Sequence, residues 1–136
     1  MPLDCPLCTA AGGELIWQND FARIIFVMEH GYPIFRVVVQ QHVAELTDLS
    51  ISERSQLMQL VCKVETAVRA HLQPDKINLA SLGNMVPHLH WHMIPRWVDD
   101  THFPAPIWAT AVRPVGHLVN DIALVQLKQQ LGQLQP

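Results

Sequence analysis

Short runs of apolar residues alternate with polar turn signals at both ends of the chain. Asn19-Asp20 separates the first two runs, and Gly31 and Pro33 precede the third. Gly83-Asn84 precedes the last of them. Runs of this length, rich in β-branched and aromatic residues, are typical of strands. Five of them predict β-strands, at residues 14–18, 22–28, 35–39, 77–82 and 88–94.

The middle of the chain changes to a helical period. Ser50, followed three residues later by Glu53, fits a capping box, and Pro74 predicts the helix end. A shorter helix is expected from about residue 121 to 131. We expect Cys62 to be a small core residue of the long helix. The apolar face of that helix is predicted to contain Leu57, Leu60, Val61, Val64, Ala67, Val68 and Leu72.

Strands on both sides of one long helix predict an α+β domain with an antiparallel sheet. The chain has 136 residues, of which 49% are hydrophobic and 15% charged, and this suits a single domain over residues 1–136 with a well-formed core. We interpret residues 1–13 as a small zinc-knuckle-like segment. We interpret residues 97–136 as a C-terminal extension.

Charge and hydropathy narrow the possible partners. The formal net charge of −3 gives no electrostatic footprint for a nucleic acid polymer, although a small phosphate ligand needs only a local donor site. The longest aliphatic-aromatic run, residues 24–28, is too short to span a membrane. The N-terminal MPLDC lacks a basic region followed by an apolar stretch, so we expect no signal peptide and a cytoplasmic location.

The last predicted strand contains three alternating histidines. Side chains alternate across a strand, so His88, His90 and His92 share one face, whereas Leu89, Trp91 and Met93 share the face where a helix can pack. His88 and His92 would lie about 13 Å apart along the strand, too far for one metal ion to bind all three imidazoles. A free imidazole titrates near neutral pH and can attack phosphorus. A polar edge strand with coincidental histidines is the alternative.

The run His88-Leu89-His90-Trp91-His92-Met93-Ile94 resembles the signature of the histidine triad (HIT) family of nucleotide hydrolases and transferases. The resemblance extends to the N-terminal C-x-x-C, to QQH after the third strand, to the long helix and to the Gly-Asn turn. It implies a five-stranded antiparallel sheet with the long helix on one face. It also implies a homodimer whose two sheets join into one, and a purine nucleotide or nucleotide conjugate as ligand.

The same resemblance implies a role for each histidine. His90 would be the nucleophile that attacks the α-phosphorus, and His92 would lie at the phosphate. The backbone carbonyl of His88 would hold the other ring nitrogen of His90. Many relatives carry a Ser or Thr where this chain has Met85, which cannot donate a hydrogen bond to a leaving group. The nucleotide-binding positions would be Glu29, Asn78, Gly83 and Asn84.

An odd count of three cysteines argues against a disulfide framework in a cytosolic chain. C-x-x-C is half of a zinc site. Some HIT relatives complete such a pair with a histidine after the third strand and the first triad histidine, which implies structural zinc on Cys5, Cys8, His42 and His88. The alternative is a reduced, buried cysteine pair beside a surface His42.

Three functions remain open at this point. The first is a hydrolase or transferase that acts on nucleoside phosphoramidates or dinucleoside polyphosphates through a nucleotidyl-histidine intermediate. The second is a low-turnover nucleotide-binding or scaffolding dimer, which Met85 favours. The third is a zinc-activated hydrolase with H-x-H as metal ligands, which would need an open coordination position.

Overall fold

A computed structural model describes residues 2–135. The terminal residues of the predicted domain, Met1 and Pro136, lie outside the described residues. Five antiparallel strands form one sheet in the order β1-β2-β3-β5-β4. This arrangement confirms the predicted α+β fold with a five-stranded antiparallel sheet. The strands are β1 Glu14–Gln18, β2 Ala22–Glu29, β3 Tyr32–Val39, β4 Lys76–Ala80 and β5 His90–Arg96.

The third strand begins three residues earlier than predicted because a tight turn sets the register. Glu29 pairs with Tyr32, which leaves a two-residue loop of His30 and Gly31. Their φ angles are 51° and 83°, as the mirror-image hairpin turn requires. Pro33, read from the sequence as a boundary, lies inside the strand opposite Met28.

The last two strands are also shifted from their predicted bounds. β4 ends at Ala80, and β5 begins at His90 and continues through Pro95, which pairs with Ile77. His88 lies before the strand, because its carbonyl accepts a hydrogen bond from the His90 ring and its N–H donates to the Val86 carbonyl.

Helix α1, Pro6–Thr9, follows the N-terminus, and helix α2, Ile51–Leu72, covers one face of the sheet. The predicted capping box is present: Ser50 Oγ accepts from the Glu53 N–H, and the Glu53 side chain accepts from the Ser50 N–H. Cys62 is exposed, so its predicted burial is wrong; it follows the buried Val61 on the outer side of the helix. All seven residues of the predicted apolar face are buried.

Helix α3, Asp121–Gly132, packs near strand β1. Trp17 Nε1 donates to the Leu134 carbonyl at 2.9 Å, and Lys128 pairs with Glu14 at 3.0 Å. The C-terminal segment therefore covers the β1 side of the sheet, whereas β4 forms the opposite edge. Within residues 2–135, no helix combines the length and apolar character needed to cross a membrane.

Candidate active site and metal centre

Strand β5 separates two environments. Leu89 and Met93 are buried in the core beneath α2, and Trp91 packs against that core. His90, His92 and Ile94 alternate with them and therefore lie on the face that α2 leaves open. The apolar side anchors the strand, and the other side presents imidazoles to a cavity.

His90 is held by a backbone contact. Its Nδ1 donates to the carbonyl oxygen of His88 at 2.5 Å. A carbonyl only accepts, so this contact places the ring proton on Nδ1 and leaves a lone pair on Nε2. Burial lowers the pKa of His90 from its usual value. The His90 ring is thus a neutral imidazole with its basic nitrogen directed away from the His88 backbone.

An open cavity of about 570 Å³ lies over this face of the sheet. His90 lines this cavity. Four further residues that the family resemblance implied for the nucleotide site also line it: Glu29, Gly83, Asn84 and His92. Asn78 does not line the cavity, and its Oδ1 accepts from Arg96 Nη1 at 2.9 Å. The other lining residues are His30, Arg36, Leu82, Met85, Val86, Ile94, Ile107 and Trp108.

The loop before the histidines forms one wall of the cavity. Gly83 has a φ of +76°, a left-handed conformation that a side chain would strain. Asn84 follows it and is exposed. Met85 is 95% exposed and has no polar atom to offer a leaving group except a weakly accepting sulfur.

His92 faces a charged residue that the sequence analysis did not identify. Arg36 of β3 pairs directly with His92 in the sheet register. Burial, together with Arg36 and His90, lowers the pKa of His92 to about 4. His92 is therefore neutral at pH 7. Its ring centroid lies 5.0 Å from that of His90.

Four side chains distant in sequence form a potential metal centre. Cys5, Cys8, His42 and His88 each offer one ligand atom, and these atoms all lie within 4.8 Å of one another. His88 Nδ1 is 3.4 Å from Cys5 Sγ, 3.5 Å from Cys8 Sγ and 3.3 Å from His42 Nδ1. Tetrahedral zinc with bonds of about 2.0–2.3 Å separates its ligands by roughly 3.3–3.8 Å, so the donor set fits such an ion.

The tautomer of His88 suits a metal ligand. Its Nε2 is 2.6 Å from the Val39 carbonyl, to which it must donate. The lone pair is therefore on Nδ1, the atom that faces the two sulfurs and His42. Metal-binding histidines usually donate their second ring nitrogen in this way. His88 thus faces the potential metal centre with its ring and orients His90 with its backbone carbonyl.

Arg23 fixes the N-terminal segment that contains the cysteines. Its guanidinium is buried and donates to the backbone carbonyls of Leu7, Ala10 and Ala11 and to Gln40 Oε1. One sign of this role is visible in the sequence, where a charged residue lies inside the otherwise apolar run of β2.

A buried carboxylate fixes the segment after β5. Asp100 accepts from Arg96 Nε at 2.8 Å, from Tyr32 Oη at 2.8 Å and from three backbone N–H groups. Burial would raise the pKa of Asp100, but these hydrogen bonds hold it well below its usual range. The same segment continues to Ile107 and Trp108, which close one side of the cavity.

Comparisons with known proteins identify the fold. The HIT domain family model matches residues 12–98. The chain is 28% identical over 102 residues to a Mycobacterium tuberculosis protein described as an AP-4-A phosphorylase. The match covers 68% of this chain and 52% of the relative, so the chain spans about half the length of that protein.

Solved structures agree with the family match. A histidine triad protein from Bradyrhizobium japonicum superposes with a TM-score of 0.71 at 27% identity, covering 87% of this chain and 88% of the other. A histidine triad protein from Marinobacter aquaeolei has the same fold, with a TM-score of 0.71 at 24% identity and coverage of 89% and 87%. The chain belongs to the HIT domain family.

Proposed function

We propose that this protein is a nucleotide-binding hydrolase or transferase. It would cleave nucleoside phosphoramidates or dinucleoside polyphosphates at the α-phosphate through a nucleotidyl-His90 intermediate. The observation that supports this most is the hydrogen bond from His90 Nδ1 to the His88 carbonyl. It gives His90 the tautomer that a nucleophilic imidazole needs, at the wall of a cavity large enough for a small-molecule ligand.

The proposed reaction has two displacements at phosphorus. In the first, the lone pair of His90 Nε2 forms a bond to the α-phosphorus, and the bond to the leaving group breaks and takes its electron pair with it. In the second, a water oxygen attacks the phosphorus and loses its proton to solvent, the N–P bond returns its electrons to Nε2, and a nucleoside monophosphate leaves. An amine leaving group takes up a proton from solvent when it departs in the first step. Neutral His92 would donate its ring N–H to a phosphoryl oxygen in both steps.

The nucleotide would be bound by the remaining predicted residues. Glu29 would accept hydrogen bonds from the ribose hydroxyls, and the Gly83 backbone and the Asn84 amide would donate to phosphate. Asn78 does not line the cavity and its Oδ1 accepts from Arg96, so it would reach the ligand only from beside the cavity wall.

The printed name of the curated relative supports dinucleoside polyphosphates as the substrate class. It also bears on which molecule accepts the nucleotidyl group, because a phosphorylase transfers a group to inorganic phosphate. Both outcomes share the nucleotidyl-histidine intermediate and differ only in whether water or inorganic phosphate attacks it.

Turnover measurements test the proposal. Diadenosine tetraphosphate and an adenosine phosphoramidate are incubated with the wild-type protein, with His90→Ala, and with His71→Gln as a histidine control on α2. We expect His90→Ala to lose at least about a thousandfold of the turnover, as enzymes that lose a nucleophile do, and His71→Gln to keep it. The reactions are repeated with inorganic phosphate present. Attack by water on the intermediate gives AMP and attack by phosphate gives ADP, so the product identifies the acceptor. Turnover retained by His90→Ala would contradict the proposal.

A second candidate function follows from Met85. Because no hydroxyl is present there to assist a leaving group, the protein would bind nucleotides with little turnover. Tight AMP binding without cleavage of either substrate would favour this alternative. Met85→Ser would then raise turnover.

For the metal centre, we infer structural zinc on Cys5, Cys8, His42 and His88. The donor distances and the softness of two thiolates suit this ion. Four protein ligands leave no open position, so zinc would supply stability rather than a nucleophile. It would connect the N-terminal segment to the residue whose carbonyl orients His90.

We also infer a homodimer in which the two sheets join at β4. This strand is an edge of the sheet, and its Leu79 is 42% exposed on the side of the sheet that carries α2. An edge strand with an exposed apolar side chain is a ready surface for pairing with a second copy. Light scattering should give a dimer mass for the wild type and a monomer mass for Leu79→Glu; a monomeric wild type would contradict the inference.

A further inference from the structure

Arg36 lies in the cavity beside the histidines. It pairs with His92 across β3 and β5, and its side chain is 20% exposed. It also lines the cavity together with His90. The proposed reaction does not yet use this residue.

The guanidinium has unused hydrogen-bonding capacity. Nη2 donates to Glu29 Oε2 at 3.0 Å. Nε is buried and has no hydrogen-bond partner within residues 2–135. Arginine has five N–H donors in a planar fork, and leaving one of them buried and unpaired costs free energy. A buried donor of this kind calls for a partner that the free protein does not supply.

Arg36 also dominates the charge of the cavity. Among the described residues that line it, Arg36 is the only lysine or arginine. His92 is neutral at pH 7, and Met85 offers no donor. A phosphate bound beside the histidines would thus face one permanent positive charge. The single carboxylate in the cavity, that of Glu29, is already paired with it.

We propose that Arg36 binds the phosphate of the ligand, donating the free N–H groups at the exposed end of its guanidinium to phosphoryl oxygens next to His90. Glu29 is the positioning residue that holds the guanidinium through Nη2 and leaves the rest of the fork available. The identity of the ligand as a nucleotide rests on the proposed function; the anion site rests on the geometry of Arg36. The chemistry it recognises is a phosphate or pyrophosphate group, for which arginine's bidentate fork is suited.

Calorimetric titration with three probes tests this role. AMP, adenosine and inorganic pyrophosphate are titrated into the wild type, Arg36→Met, Arg36→Lys and Arg69→Gln. Arg69 is exposed on α2, which covers the other face of the sheet, so its substitution removes the same charge away from the cavity. We expect Arg36→Met to weaken AMP and pyrophosphate binding about 10- to 100-fold, a range typical of a hydrogen-bonded charge, and adenosine binding less than about twofold.

The two matched variants sharpen the result. Arg36→Lys should recover part of the lost affinity, because it restores the charge but not the planar fork. Arg69→Gln should bind all three probes as the wild type does. Equal weakening of adenosine and AMP by Arg36→Met would indicate a structural role and overturn the inference.

The probes also separate this inference from the proposed function. If Arg36→Met binds AMP with the wild-type affinity and pyrophosphate with the wild-type affinity, the anion site is refuted while nucleotide binding stands. If pyrophosphate binds through Arg36 but AMP does not bind, the anion site stands and the nucleotide function fails. If the wild type binds neither AMP nor pyrophosphate, both are refuted.

Discussion

Replacing Asp100 with asparagine should destabilise the protein strongly, because the carboxylate accepts six hydrogen bonds from five residues. Oδ1 accepts from Tyr32 Oη, Arg96 Nη2 and the backbone N–H groups of His102 and Phe103. Oδ2 accepts from Arg96 Nε and the Trp97 N–H. Asparagine keeps one oxygen, so even its better orientation points an NH₂ group at the two donors now bonded to Oδ2.

The expected loss in the free energy of unfolding depends on the Arg96 charge that stays buried. Arg96 is 2% exposed and would keep its charge without a carboxylate partner. Removing one member of a buried ion pair costs about 3–5 kcal/mol, most of it from the uncompensated charge that remains. We therefore expect Asp100→Asn to lower the free energy of unfolding by about 3–5 kcal/mol.

Urea denaturation measures this loss, with Asp99→Asn as the matched control. Asp99 is the neighbouring residue and is 65% exposed. Within residues 2–135 it pairs only with His117, at 2.9 Å, so its loss should cost no more than about 1 kcal/mol. If Asp100→Asn also cost under about 1 kcal/mol, the Asp100 contacts would not stabilise the segment after β5 as described.

The pKa of Asp100 adds a pH dependence with a defined sign. Its pKa is lowered in the folded protein, so its stabilising contribution is present above the unfolded pKa of about 3.9 and is lost as pH falls below that value. The stability difference between the wild type and Asp100→Asn should therefore narrow as pH falls from about 5 to 3. A difference that stayed constant over this range would contradict the lowered pKa.

Three further predictions concern other parts of the molecule. Protein purified without a metal-affinity tag should contain close to one zinc per chain, and Cys5→Ser should lose both zinc and stability; less than about 0.1 zinc per chain with a fully stable variant would exclude the site. Arg36→Met should raise the pKa of His92 above its value of about 4, because a neighbouring positive charge is removed, and an NMR titration that showed no change would contradict this. Ser50→Ala should cost about 1 kcal/mol in urea denaturation, since it removes the cap of α2, and an unchanged midpoint would refute that contribution.

Elements that depend on residues close together in the sequence were predicted from the sequence pattern. The α2 helix follows from a capping box and an apolar period, and both act within a few residues of each other. The alternation of histidines with Leu89, Trp91 and Met93 likewise predicted which side of β5 packs against the helix. The strand bounds were less accurate, because the hairpin turn at His30-Gly31 and the backbone contact of His88 set them.

Contacts between residues that are distant in the sequence could not be predicted from local patterns. Cys5 and His88 are 83 residues apart, and their proximity was expected only from the family resemblance. Arg36 was missed because the apolar run around it predicted a plain core strand. Its position offered one signal: it alternates with Phe35 and Val37 of the core and lies on the other face of the sheet, which it shares with His92. A lone charge at an inward position of an apolar strand indicates a partner or a ligand.

The proposed function depends on a covalent bond between His90 and the phosphorus of a nucleotide. Rapid alkaline quenching of a reaction with diadenosine tetraphosphate, followed by digestion and mass spectrometry at a pH where the N–P bond is stable, detects such an adduct directly. We expect one adenylyl group on the peptide containing residues 88–92, assigned to His90 by fragmentation and absent from His90→Ala. Turnover by the wild type with no adduct at any quench time, or an adduct on His92 instead, would contradict it.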